Sequence, residues 1–144
     1  MDPASMVHAL EEVWCVLVPD GILIDVRPLG EQWQIEVVSA HNIKETGRVM
    51  DLPEQLNGDM AANQAIKEAE SRGWFQRDHE EFFPFFYSWD TPSEMEAFVE
   101  EDWADFIDLS EEAKKTTRSV WALGDADSRV RVHMKVLLGK WRKL

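Results

Sequence analysis

Residues 8–28 read HALEEVWCVLVPDGILIDVRP, and this stretch decides the fold. Its first half places apolar residues at helical spacing, which predicts an amphipathic helix from Met6 to Leu17. The turn Pro19-Asp20-Gly21 ends that helix, because glycine permits the turn and proline cannot continue a helix. The apolar run from Ile22 to Val26 then predicts a short strand that is buried on both faces, as in a parallel sheet.

The middle of the chain predicts a hairpin. Gln32 to Val38 alternates between apolar and polar residues, which is typical of a half-buried strand. Its apolar side carries Trp33, Ile35 and Val37. Gly47 to Leu52 is the expected partner strand.

Two further strands are predicted nearer the C-terminus. Trp74 to Trp89 is typical of a long strand interrupted at Pro84, because proline cannot donate to a central ladder. The segment from Arg129 to Leu138 fits either a helix or a strand. Its four clean alternations of apolar and polar residues favour the strand.

Three more helices are marked by their caps. The first begins at Asn57 or Asp59 and ends before Gly73. The second begins with the capping box Thr91-Pro92-Ser93-Glu94, which also has proline at the first helical position. The third begins at Ser110 and ends near Gly124.

These elements predict one α/β or α+β domain over residues 6–144, with a small mixed sheet flanked by helices. We expect the strand Ile22 to Val26 at the centre, beside an antiparallel pair formed by the two C-terminal strands. Residues 1–5 have the composition of a cloning remnant and are left out of this prediction.

The net charge of −13 argues against nucleic acid as a partner, because a polyanion would be repelled. The charge is uneven: residues 94–112 hold nine acids and no base, whereas the basic residues gather from Arg129 onward. No run approaches the ~18 apolar residues that span a bilayer. The single Cys15 forms no internal disulfide and favours a cytoplasmic protein.

The order of these segments resembles the C-terminal half of a class I S-adenosylmethionine-dependent methyltransferase. Residues 8–28 look like the helix, turn and fifth strand of that family. Gly73-Trp74-Phe75 looks like the entry to its sixth strand, and Thr91 to Met95 looks like a helix that small-molecule methyltransferases insert next. Val136 to Lys143 looks like the seventh strand with a basic tail.

The resemblance implies a fold without its cofactor-binding N-terminal half. The family binds its cofactor with a glycine-rich turn and with a carboxylate that accepts from the ribose hydroxyls, as dinucleotide-binding folds do. No Gly-x-Gly-x-Gly occurs in this chain. We therefore expect no cofactor, no catalytic residue and no binding of S-adenosylmethionine. The four histidines are far apart and predict no metal site.

Residues 82–89 hold six aromatic rings in eight positions, and two interpretations are open. The rings belong mainly to the core, which we expect, or they form a pocket wall or a protein interface. The second interpretation gives these candidate ligand or interface residues: Arg27, Trp33, Arg48, Phe82, Phe85, Tyr87 and Trp89.

The predicted function is a non-catalytic, methyltransferase-like domain that acts by self-association or by binding a partner protein. In the family, a fourth strand covers one edge of the fifth, so the strand Ile22 to Val26 would here expose that edge. We expect a homodimer through it, although the strand Gln32 to Val38 or another protein could cover it instead. The alternatives are a binding protein for a small apolar ligand, with residues 82–89 as pocket wall, and the second subunit of a split methyltransferase.

Overall fold

The computed structural model describes residues 2–144 and has a small antiparallel sheet flanked by four helices. This confirms the predicted combination of helices and sheet and is consistent with an α+β fold. Contacts divide the chain into two compact units, the first formed by residues 2–29, 56–83 and 136–144, the second by residues 30–55 and 84–135. The elements are α1 (Pro3–Val16), β1 (Ile22–Pro28), β2 (Gln34–Val38), β3 (Ile43–Arg48), β4 (Met50–Asp51), α2 (Pro53–Ser71), β5 (Phe75–Trp89), α3 (Pro92–Asp102), β6 (Ile107–Asp108), α4 (Glu111–Ala122) and β7 (Arg129–Lys143).

The first unit packs α1 and α2 against one face of a three-stranded sheet. The C-terminal half of β7 pairs antiparallel with β1, and the N-terminal half of β5 also belongs to this unit. Phe75 and Trp141 are the largest buried side chains here, exposed by 2% and 1%. Trp14 and Trp74 are partly buried beside this cluster, where their rings stack with centroids 6.0 Å apart.

The second unit packs α3 and α4 over a different part of the sheet. Here β2 lies between β3 and the N-terminal half of β7, and both pairings are antiparallel. The core contains Trp33, Ile35 and Val37, as predicted from their alternation. The other buried residues of this core lie in α3, α4, β6 and β7 and in the residues that adjoin β3 and β6: Val49, Met95, Val99, Ile107, Leu109, Ala113, Val130, Val132 and Met134.

The pattern of buried residues differs between the two halves of β7. Up to Val136 its even-numbered residues are buried, whereas Leu137, Gly139 and Trp141 are buried further on. Each half of the strand therefore presents its own set of side chains to its own unit. The predicted strand Arg129 to Leu138 is confirmed and continues five residues further, to Lys143.

The predicted caps of α3 and α4 are confirmed, whereas α1 begins earlier than predicted. Thr91 accepts from the Glu94 amide while the Glu94 carboxylate accepts from the Thr91 amide, so the capping box is complete. Ser110 caps α4. The helix α1 begins at Pro3 rather than Met6, because the Asp2 carboxylate accepts from the Ser5 amide at 3.0 Å.

The predicted position of Ile22 to Val26 is wrong. The strand lies at the end of the strand order and pairs with β7 alone, so it is an edge strand rather than the centre. Only one of its faces is covered, with its residues alternating between exposed and half-buried. A continuous apolar run does not by itself distinguish a buried strand from an edge strand whose outer face is apolar.

Four other expectations need correction. The strand β5 continues through Pro84 without the predicted interruption, because β5 pairs with β7 on one side only and an edge strand tolerates a residue without an N–H. Six of the residues from Phe82 to Trp89 are exposed and none is fully buried, so the segment does not belong mainly to the core.

The partner of β2 is Ile43–Arg48, while residues 50–51 pair with β6. The helix α2 begins at Pro53 rather than at Asn57 or Asp59, because proline is favourable in the first turn of a helix, and it ends before Gly73 as predicted.

Candidate interaction surface

The outer edge of β1 carries backbone groups that point away from the sheet. In an antiparallel pair, alternate residues direct both their N–H and C=O groups at the partner strand. The Lys143 amide donates to the Gly21 carbonyl at 2.8 Å, and Gly21 continues the register that pairs Ile22 with Arg142. The odd-numbered residues of β1 thus face β7. The N–H groups of Ile22, Ile24 and Val26 consequently point outward.

The same three residues form an exposed apolar row. Ile22, Ile24 and Val26 are 40%, 59% and 56% exposed, and alternation places them on one face of the strand. Lys140 and Arg142 stand opposite Ile24 and Ile22 on β7 and flank the row with charge. An apolar row beside outward backbone donors is what an added strand would cover.

The opposite face of β1 is occupied by contacts within the first unit. Leu23 packs on the core, and the Asp25 carboxylate accepts from Arg27 Nε at 2.9 Å. Arg27 also donates to Asn63 Oδ1 at 2.7 Å, which ties the strand to α2. The candidate residue Arg27 therefore binds groups of its own chain and leaves the outer row uncharged.

Charged side chains of β5 pair with β7 and with α2 in the first unit. Arg142 Nη2 lies 2.7 Å from Asp78 Oδ2, and this hydrogen bond raises the pKa of the Arg142 guanidinium above its usual value. The hydrogen bond to Glu70 likewise raises the pKa of Arg77. Glu70 also accepts from Trp141 Nε1 at 2.9 Å, so the buried indole N–H is satisfied.

Several candidate aromatic residues come together in the second unit. Tyr87 lies 5.6 Å from Phe85 and 6.1 Å from Trp89 between ring centroids, and both Tyr87 and Trp89 contact Trp103. Trp33 contacts Trp103 from the buried side at 5.6 Å. The structure thus joins three candidates through Trp103, which is not itself a candidate, and adds Phe85 through Tyr87.

The remaining candidates lie elsewhere. Arg48 forms an ion pair with Glu45 at 3.1 Å and donates to the Gln32 carbonyl. Phe82 is 51% exposed and belongs to the first unit. Neither residue takes part in the ring contacts around Trp103 given above.

A polar cluster that the sequence patterns did not indicate lies on β2 and β7 in the second unit. The Glu36 side chain is 7% exposed and accepts from Arg131 Nε at 2.5 Å. His133 Nδ1 lies 3.4 Å from the other Glu36 oxygen. The Phe86 ring covers this pair, with the Arg131 guanidinium 4.3 Å from its centroid. The alternation in β2 correctly predicts that Glu36 lies on the side opposite Ile35 and Val37. It does not predict that Glu36 is buried, because the covering residue Phe86 lies on β5, which is distant in sequence.

Searches for similar proteins identify no relative. No family model, no curated protein and no solved structure matches the chain. Across residues 2–144 no helix is long and apolar enough to cross a membrane. The described residues also contain no group of three or more side chains placed to hold a metal ion.

Proposed function

We propose that this chain is a non-catalytic binding module that self-associates through the outer edge of β1. The observation that carries the proposal is the row Ile22, Ile24 and Val26, apolar and exposed, with the N–H groups of the same residues directed outward. Natural edge strands are protected by lysines, prolines or bulges. Apart from Pro28 at its last position, β1 has none of these on its outer row.

A second copy fits this edge because the edge is self-complementary. A two-fold axis through Ile24 would place Ile22 opposite Val26 of the other copy and Ile24 opposite itself. Opposed residues of an antiparallel pair project to the same face, so six apolar side chains would form one continuous row. The charges of Asp25 and Arg27 cancel, which removes local repulsion in a chain of net charge −13.

The proposed ancestry is a class I methyltransferase. The family resemblance assigns β1, β5 and β7 to its fifth, sixth and seventh strands, and it places the fifth beside the seventh. The pairings of β1 with β7 and of β5 with β7 support this assignment. The outer edge of β1 then corresponds to the edge of the fifth strand that pairs with the fourth strand in the family. The single cysteine supports a cytoplasmic location.

Sedimentation of matched variants tests the proposal. We expect the wild-type chain to sediment at micromolar concentration with twice the chain mass of 16.7 kDa. Ile24→Lys places a charge in the proposed interface and should yield the monomer. Ile24→Pro should do the same, because it removes an outward N–H and leaves the bonds to β7 intact.

Ile43→Lys is the matched control, because Ile43 is also 59% exposed and also lies on an edge strand, β3. It should remain a dimer. A wild-type mass of 16.7 kDa, or a dimer that both Ile24 variants leave intact, would refute association through β1.

A further inference from the structure

An aromatic face that the proposed self-association does not use lies on the second unit, where the end of β5 meets α3. Neighbouring rings of this aromatic face have centroids 5.0–6.1 Å apart, and its members are Phe85, Tyr87, Trp89, Phe98 and Trp103. Phe85 and Tyr87 are 47% and 39% exposed, whereas the other three are half-buried. Because the rings pack on one another, they offer a surface for stacking rather than an open cage.

Carboxylates without a cation border the aromatic face at the end of α3. Glu101 and Asp102 lie three and four residues after Phe98, so both are its neighbours on the helix surface. Both are exposed, and neither forms an ion pair or a side-chain hydrogen bond within residues 2–144. The last turn of α3 contains no basic residue, although the negative end of a helix dipole favours cations there. The local charge therefore attracts a positively charged group.

Elsewhere in the chain, arginines lie between an aromatic ring and a carboxylate. The Arg131 guanidinium lies 4.3 Å from the Phe86 centroid while its Nε donates to Glu36. In the first unit, Arg72 lies 4.9 Å from the Trp74 centroid and pairs with a glutamate at 2.8 Å. A planar guanidinium stacks on rings and matches the geometry of carboxylates, which a lysine ammonium does less well. The end of α3 has the rings and the carboxylates of this arrangement, but residues 94–112 contain no arginine.

From this geometry we infer that the aromatic face docks an arginine-bearing segment of another protein. The guanidinium stacks on Tyr87 and pairs with Glu101 and Asp102, while apolar residues beside the arginine pack on Phe85. Charge complementarity favours this partner over a second copy, because a two-fold axis at the face would set the same carboxylates against each other. The exposed row of β1 belongs to the first unit, so this docking and the proposed self-association involve different residues.

Amide NMR of the full chain, titrated with the blocked peptide Ala-Leu-Arg-Leu-Ala, tests the inference. We expect shifts at Phe85, Tyr87 and Glu101 that give a dissociation constant of about 1 mM or tighter. The same peptide with citrulline in place of arginine keeps the shape and lacks the charge. It should bind at least about fivefold more weakly, because it loses both the cation–π contact and the ion pair.

Two matched pairs of variants provide the controls. Glu101→Gln should weaken binding of the arginine peptide about threefold. Glu100→Gln removes the same charge from the same helical turn, but it lies two residues after Phe98 and does not face it, so binding should be unchanged. Phe85→Thr should weaken binding about threefold. Phe82→Thr, on the same strand and 51% exposed in the wild type, should leave it unchanged.

The inference is overturned by equal binding of the two peptides, by equal effects within either pair of variants, or by no shift up to about 10 mM peptide. Sedimentation of Phe85→Thr tests the other occupant of the aromatic face. Conversion of a wild-type dimer into a monomer by this variant would assign the face to a second copy and would also overturn the inference.

Discussion

At position 139 a side chain larger than hydrogen has no room. A Cβ built there would lie 2.0 Å from the ring of Trp141, which is itself almost fully buried. Gly139→Ala should therefore force the indole out of place and destabilise the protein by about 1–3 kcal/mol in urea denaturation. Gly58→Ala is the contrast, since Gly58 lies within α2 and a Cβ added there would meet no atom within 4 Å.

Gly58→Ala should raise stability by about 0.5–1 kcal/mol through helix propensity. Equal effects of the two alanines would contradict the packing around Trp141.

The buried carboxylate of Glu36 depends on Arg131 as its main hydrogen-bond donor. Arg131→Ala leaves that carboxylate without its main partner and should cost about 3 kcal/mol of unfolding free energy, measured in urea. Arg129→Ala removes an arginine from the same strand, but its pair with Asp90 is exposed on both sides. That variant should cost about 0–1 kcal/mol. Equal losses of stability in the two variants would contradict the dependence of the buried Glu36 carboxylate on Arg131.

At the scale of single elements, the helix caps are the clearest test of local sequence logic. Thr91→Ala removes the side-chain half of the capping box and should lower stability by about 1 kcal/mol in thermal or urea unfolding. Ser93→Ala, two residues on in the exposed first turn of α3, should change it by less than about 0.5 kcal/mol. An unchanged melting temperature for Thr91→Ala would show that the cap contributes nothing measurable.

Elements whose signals are local were predictable from the sequence. The caps at Thr91 and Ser110, the stop at Gly73 with φ of 72°, and the alternation in β2 are all confirmed. The place of β1 was not predictable, because the order of strands depends on contacts distant in sequence. The exposure of Phe85 and Tyr87 also escaped prediction, since apolar composition alone favours the core.

The candidate site was predictable in part, for the same reason. Four of the seven candidate residues lie in one aromatic cluster. Phe85, Tyr87 and Trp89 are there because they share the last part of β5, and Trp33 joins them through Trp103. The predictions for Arg27 and Arg48 rest on side-chain chemistry alone, and in the structure nearby acidic residues pair with both. The cluster at Glu36 requires β2, β5 and β7 together, which no single segment reveals.

At the scale of the whole molecule, the chain forms two compact units, and β5 and β7 each contribute residues to both. The buried residues of β7 are even-numbered up to Val136 and odd-numbered from Leu137 to Trp141, and each unit contains its own pair of helices. The exposed row of β1 belongs to the first unit, so substitutions in the core of the second unit should leave association unchanged.

Disulfide trapping tests whether two chains pair through β1. The exposed Cys15 is first replaced by serine, and Ile24→Cys and Ile43→Cys are then compared under mild oxidation. Directly opposed residues in the paired strands have Cα atoms about 5.5 Å apart, which a disulfide can bridge. We predict rapid formation of a covalent dimer by Ile24→Cys and little by Ile43→Cys. No dimer from Ile24→Cys, or equal trapping of both variants, would contradict the account.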